Sequence, residues 1–292
     1  MKLNGGLGNQ MFQYAVAYAL AEKNADYIKL DLSGFAESQK QTYREFGLGS
    51  FNLSFSSVAS QYEVNKFKYE HGIFSILLKF IKRKIFKKYY EDWHPEVLDW
   101  RGDFYLDGYF QSENYFLDIA DKIKSEFSLQ PVYQEQLDNW SSQLKGSVTV
   151  SIHVRRGDYV SDPIASRIHN ICDVNYFNNA LTYLRNKIGR FTLVVFSDDI
   201  IWVKNNLNFT EDVFYVTGQA DVFEVVLNPS QEVALMARCS HHIISNSSFS
   251  WWGAFLNRSN NKIVCAPSLW SKSKIHTHPN IVPDSWIKIP VD

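Results

Sequence analysis

Cysteine, methionine and proline are scarce in this chain of 292 residues, at three, three and eight. Cys172, Cys239 and Cys265 are odd in number and far apart, and show no CxxC or Cys/His spacing. That argues against a disulfide framework, a structural zinc or a dithiol redox site. Cys239 and Cys265 lie in apolar stretches and read as small buried hydrophobes, so a reducing compartment is expected. An excess of either charge is lacking too. Thirty Lys and Arg against 31 Asp and Glu leave a net charge of −1. No global basic field therefore speaks for nucleic acid, and a polyanionic partner needs a local site. No apolar run reaches membrane-spanning length. The start, MKLNGGLGNQMFQYAVAYALA, lacks the charged, apolar and small-residue succession of a signal peptide. A cytoplasmic protein is expected, and no oligomeric state is assigned.

Aromatic residues are plentiful: 21 Phe, 16 Tyr and 8 Trp. Most serve a core, and some suit stacking on sugars or bases. The length allows one large domain or two medium ones. One stretch, 73–90, IFSILLKFIKRKIFKKYY, is both basic and apolar. Lys79, Lys82, Arg83, Lys84, Lys87 and Lys88 could face an anionic membrane. Lys84 and Lys88 fall among apolar helical positions, however, which favours a packed surface helix. Peripheral contact at the inner membrane face is the alternative.

The N-terminal half is irregular. NGGLGNQ (4–10) is a glycine turn leading into an alanine-rich helix, with strands expected at 27–32 and 104–110 and a capped helix after Ser112. The glycine spacing is wrong for a dinucleotide fingerprint. Asn9 and Gln10, two amides at a helix entrance, either read hydroxyls or cap the helix. The boundary is placed near residue 145, giving domains 1–145 and 146–292. Beyond it the alternation is regular. Strands at 147–154, 191–197, 213–216, 241–245 and 262–266 are interleaved with helices at 175–188, 200–207, 230–238 and 249–257. That pattern makes a parallel α/β sheet, whose ligands bind beyond the carboxyl ends of the strands.

Three strand ends carry polar clusters: HVRRGD (153–158), SDD (197–199) and SNSSFS (245–250). The fold should bring them to one crevice. Arg155 offers a planar fork for a diphosphate, with Arg156 and Asp158 as a supporting pair; the alternative is an internal Arg–Asp salt bridge at the loop. Ser247 and Ser248, with Asn246 before them and Phe249 after, open a helix whose amides suit a phosphate. Asp198 or Asp199 could accept the two-donor edge of guanine, or cap the next helix. His153 could bond a base or ribose.

GGLGNQMFQYA, HVRRGDY, FSDD and SNSSFSWWGAFLN resemble the motifs of bacterial α-1,2-fucosyltransferases of glycosyltransferase family 11, and DGYFQSENYF is similar to a further segment. HxRRxD is shared with α-1,6- and protein O-fucosyltransferases. The N-terminal motif and SSFSWWGAF narrow the resemblance to family 11. It implies a GT-B fold: two Rossmann-like α/β domains facing across a cleft, with donor bound by the C-terminal one. It implies inverting transfer from GDP-β-L-fucose to the 2-OH of a terminal galactose on a glycan, without a metal. By position, Arg155 becomes the pyrophosphate clamp and His153 a nucleotide contact. Asp198 and Asp199 become guanine-side candidates, and Ser247, Ser248 and Phe249 pack around the phosphates. Asn9 and Gln10 face fucose or acceptor from the N-terminal domain. Family members carry a full strand before GGLGN, where this chain has MKLN. No general base stands out in the N-terminal half, and Asp31 is a weak candidate.

Overall fold

The computed structural model describes residues 1–38, 44–54, 57–69, 93–144, 146–216, 227–273 and 279–291. The basic stretch 73–90 lies wholly outside the described residues. Two compact units are present, Met1–Phe127 and Ser128–Asp292.

In the first unit, α1 (Leu7–Asn24) is buried on nearly every side, by Met11, Phe12, Tyr14, Ala15 and Val16 among others. A helix apolar all round belongs inside a core. The chain before it is short but does pair. Lys2 bridges Asp31 in parallel, and the Leu3 amide donates to the Asp31 carbonyl at 2.9 Å. β1 (Lys29–Leu30) and β2 (Ser57–Val58) are parallel as well. Residues 104–107 run beside this start, with the Lys2 amide donating to the Leu106 carbonyl at 2.9 Å. The strand expected over 104–110 is not regular, because Phe110 turns the backbone at φ +52°. The helix expected after Ser112 is broken. Two 3-10 turns, Glu113–Tyr115 and Leu117–Ile119, precede α-helix Ala120–Glu126, and Phe116 at φ −142°, ψ 13° interrupts between them.

The second unit is a six-stranded parallel sheet. Its strands are β3 (Thr149–Val154), β4 (Thr192–Ser197), β5 (Asp212–Val216), β6 (His241–Ile243), β7 (Val264–Pro267) and β8 (Ile287–Ile289). Sheet order is β5-β4-β3-β6-β7-β8. Every residue of β3 is buried, as expected of a strand covered on both faces. Val150, Ile152 and Val154 pack with Phe177, Leu181 and Leu184 of the helix Val174–Ile188. Burial of each such side chain contributes roughly 1.5–3 kcal/mol, so a charge at Ile152 would disrupt the sheet. The chain winds from β3 outward to β5, then returns to β6 on the other side of β3. The order reverses between β3 and β6, the place where doubly wound sheets bind ligands. Strand β8 and helix Gly157–Ser161 carry no advance signal in the sequence pattern; helix Pro163–His169, not expected above, opens on an Asp162 cap and Pro163.

The boundary lies 18 residues ahead of the one expected at 145, and side chains account for it. Helix Pro131–Ser141 packs on helix Pro229–Arg238 of the sheet unit. Gln231 donates to the Gln136 amide oxygen at 2.9 Å, and Arg238 pairs with Asp138 at 2.5 Å.

Candidate functional site: an arginine fork at the sheet switch point

The crevice between β3 and β6 is closed at its floor by one hydroxyl. Ser245 Oγ donates to the His153 carbonyl at 2.7 Å and accepts the Arg155 amide at 3.1 Å. The two strand ends are thereby locked together, and Arg155 emerges at the mouth. Its guanidinium is held from two sides: Nη1 lies 2.7 Å from Asp198 Oδ2, and Nη2 lies 2.5 Å from Asp158 Oδ1. The Tyr159 ring lies 5.6 Å from its carbon. Two carboxylates fix the fork and leave other N–H donors for a ligand. With 24% of its side chain exposed, it remains open to one.

Arg156 is a different kind of arginine. Its Nε donates to Asp199 at 3.1 Å and its guanidinium lies 3.9 Å over the Trp202 ring. That stack and ion pair hold the loop. The expected Arg156–Asp158 pair is therefore replaced by Arg155–Asp158 and Arg156–Asp199. Asp199 also caps helix Ile200–Asn206, accepting the Trp202 amide at 3.0 Å. Asp198 spans both arginines, since its Oδ1 takes the Arg156 amide at 2.8 Å. Both aspartates are thus engaged with arginine.

A third carboxylate, without a signal in the sequence, lies near Asp198. Glu232 stands in the first turn of helix Pro229–Arg238. Burial, and then the nearby Asp198 charge, push its carboxyl up to about 7. Acidic residues are ordinary in first turns, so only the packing marks it.

On the far side of the crevice, Ser247 caps helix Ser248–Leu256 by accepting the Phe249 amide at 3.3 Å. Ser248 and Phe249 are half-buried there, and the His153 and Phe249 rings sit 5.5 Å apart. A helix mouth of this kind attracts anions. His153 is 6% exposed; burial first, and then Arg155, push its imidazole down to about 3, so it is neutral. Its Nδ1 is buried with no partner among the described residues, a loose end of the kind that bound ligands settle. The Asn246 side chain is held by protein partners. Its amide nitrogen donates to the His169 and Trp270 carbonyls at 2.9 and 3.0 Å, and its oxygen faces Cys172 Sγ at 3.5 Å. It ties the loops beneath the helix mouth.

The first unit holds the amides. Gln10 is 1% exposed and wholly consumed. It donates to the Gly5 and Glu45 carbonyls at 3.0 and 2.9 Å and accepts the Gly47 amide at 2.9 Å. It clamps the glycine turn, with both of its N–H groups given to backbone carbonyls. Asn9 is paired instead with Gln111 at 2.8 Å. Asp31, the weak base candidate, accepts from the Ser33 amide, the Ser33 hydroxyl and Tyr105, which saturates it. A cavity of about 260 Å³ in this unit, lined by Met1, Leu20, Ile28, Val64 and Tyr105, includes none of the expected donor residues. Among the described residues no group of three or more His, Cys, Asp or Glu is arranged to hold a metal ion, and no helix is long and apolar enough to cross a membrane.

A parallel sheet with an arginine fork at its switch point has a counterpart in sequence space. The family model for glycosyl transferase family 11 matches residues 1–290. The chain belongs to glycosyltransferase family 11. This family 11 chain is 32% identical to the O-antigen biosynthesis glycosyltransferase WbnK of Escherichia coli, over 98% of its own length and 99% of that protein. Identity is also 32% with an Escherichia coli α-1,2-colitosyltransferase, over 99% and 97%. Human galactoside α-(1,2)-fucosyltransferase 1 is 26% identical over 87% of this chain and 64% of that one. Among solved structures, fucosyltransferase NodZ from Bradyrhizobium aligns with TM-score 0.51 and 12% identity, covering 86% of this chain and 90% of that one. NodZ α-1,6-fucosyltransferase co-crystallized with GDP gives TM-score 0.52 at 13% identity, over 87% and 90%. The likeness shows the fold, mixed α/β of the GT-B class.

Proposed function

We propose that this protein transfers L-fucose from GDP-β-L-fucose to the 2-OH of a terminal galactose, with inversion, forming an α-1,2 linkage. The observation that carries the proposal is the Arg155 fork, held by Asp158 and Asp198 beside the helix mouth at Ser247. The relatives named above, which include α-1,2-colitosyl- and galactoside α-(1,2)-fucosyltransferases, support the linkage. In this reading Arg155 and the amides at Ser247 and Ser248 hold the diphosphate. As the fucosyl bond breaks, negative charge gathers on the departing β-phosphate oxygen while the sugar becomes oxocarbenium-like. Donors already aimed at that oxygen need no reorganisation, and removing one such donor costs roughly 10²–10³ in turnover. Glu232 accepts the N1–H and N2–H₂ of guanine once it is ionised. His153 and Phe249 flank the nucleoside.

The reaction runs without a divalent metal in this reading, since guanidinium groups supply the positive charge. The carboxylates Asp158, Asp198 and Asp199 are each already paired with Arg155 or Arg156. A second reading changes only the donor sugar. The similarity to an α-1,2-colitosyltransferase favours testing colitose, the 3-deoxy counterpart of fucose, on the same nucleotide. The test is incubation with GDP-fucose or GDP-colitose and lactose, N-acetyllactosamine or lacto-N-biose, with the product linkage read by NMR. An α-1,2-fucosyl galactoside supports the proposal. Another linkage, or transfer of colitose alone, overturns it.

A further inference from the structure

We propose that Gln111 contacts the acceptor sugar, with its side chain set in place by Asn9; this rests on the galactoside-transfer reading above. Residues 104–107 run beside the first strand, with Lys2 near Asp107 at 3.7 Å and hydrogen-bonded to Leu106. The chain then turns at Phe110, a bulky residue at φ +52°. L-residues with large side chains avoid that region, and such strain persists only where its surroundings hold it. Here the Phe110 ring is buried, edge-on to Tyr115 at 5.6 Å. The Ser112 amide closes the turn on the Phe110 carbonyl at 2.9 Å. The outcome is that Gln111 Nε2 donates to Asn9 Oδ1 at 2.8 Å across 102 residues of chain.

The other side of the pair is prepared as well. Gly5 has φ +74°, and a Cβ there would lie 2.6 Å from Asn9 Nδ2. Only glycine leaves the room that the Asn9 amide occupies.

The neighbouring amides of this unit are used up. Gln10 is consumed by backbone groups, and Gln13 exchanges two hydrogen bonds of 3.0 Å with Asn4. Gln111 differs. It is half-buried, and its Oε1 accepts from no described residue. A neutral amide with one N–H committed to Asn9 and its oxygen unpartnered among the described residues suits a hydroxyl, which can both donate and accept. Gln111 Oε1 thus takes a hydroxyl of the acceptor galactoside, and its role is in acceptor specificity.

The experiment is steady-state kinetics of the full chain with GDP-fucose and lactose, comparing wild type with Gln111→Ala and Gln111→Asn. The accompanying readouts are GDP affinity by calorimetry and the slow hydrolysis of GDP-fucose by water. The expected result is a KM for lactose raised about five- to tenfold in both variants, the scale of one lost hydrogen bond. GDP affinity and hydrolysis stay within about twofold of wild type. Gln111→Glu keeps size and an acceptor oxygen, and serves if the smaller variants do not fold; its lactose KM is expected between the two. An unchanged lactose KM in a wild type that does transfer fucose overturns the role of Gln111 and leaves the proposed function intact. Equal losses in hydrolysis and transfer also overturn it, because they mark a purely structural residue. A wild type that transfers fucose to no galactoside overturns the function, and this inference with it.

Discussion

Asp198 divides its two oxygens between two neighbouring arginines: Oδ2 lies 2.7 Å from Arg155 Nη1, and Oδ1 accepts the Arg156 amide at 2.8 Å. One carboxylate thus sets both the loop and the fork. Asp198→Asn keeps the shape, but half of its amide presents N–H groups towards a donor. Arg155 then keeps only Asp158 as a charged partner. The expected loss in kcat/KM is about ten- to a hundredfold, with a smaller loss in GDP affinity, measured by coupled GDP release and calorimetry.

Gly157 is the test of that packing by size alone. A Cβ at this position would lie 2.6 Å from Asp198 Oδ2. Gly157→Ala is expected to push Asp198 off Arg155 and to reproduce the Asp198→Asn kinetics, with a lowered melting temperature. Kinetics equal to wild type would show that Asp198 does not orient the fork.

Glu232 carries a stability cost with a definite pH window. Its carboxyl is pushed up to about 7 from 4.5, so between those values the folded state binds more protons than the unfolded chain. Stability of the unliganded protein therefore falls as pH rises through that window, by up to about 3 kcal/mol above it. Glu232→Gln removes the charge that burial penalises. Thermal unfolding at pH 8 should show the variant more stable than wild type, and at pH 4.5 nearly equal to it.

The same residue links GDP affinity to pH. In the proposed function ionised Glu232 accepts from guanine, so affinity is expected to rise with pH and level off above about 7. Between pH 6 and 8 the ionised fraction changes about tenfold. The terminal phosphate of GDP titrates as well, so the informative quantity is the difference between wild type and Glu232→Gln. Calorimetry should find that wild-type affinity rises about tenfold more than that of the variant over that range. Parallel slopes would remove Glu232 from the guanine site.

Metal removal is the simplest test of the charge assignment. With guanidinium groups serving the diphosphate, transfer activity should be unchanged within about twofold after dialysis against EDTA. A loss restored by Mg²⁺ or Mn²⁺ would mean that a cation, and not Arg155, carries the diphosphate.

The sheet of the second unit was legible because its strands are short β-branched runs separated by helical periodicity; β3 to β7 fall within three residues of their expected bounds. β8 was not, since Ile287–Ile289 is only three residues long and lies among loops. The polar strand ends were legible for a topological reason: a doubly wound sheet gathers them at one edge. Which carboxylate serves which arginine was not. Asp198 and Asp199 are adjacent and alike in sequence, and only the loop geometry sends one to Arg155 and the other to Arg156. Asn246 and Gln10 looked like ligand amides because burial cannot be read from residue type. Gln111 lay inside DGYFQSENYF, but the left-handed turn at Phe110 that aims it has no signature in a non-glycine residue. Glu232 was hidden as an ordinary first-turn acid.

The central claim is that Arg155 holds a guanosine diphosphate through a fork, and titration of GDP into wild type and Arg155→Lys by calorimetry tests it most directly. Lysine keeps the charge and loses the paired donors. The account predicts that GDP binds wild type, that ADP and UDP bind much more weakly, and that Arg155→Lys lowers GDP affinity about tenfold or more. Absence of GDP binding to the folded wild type, or equal affinity in Arg155→Lys, would contradict it.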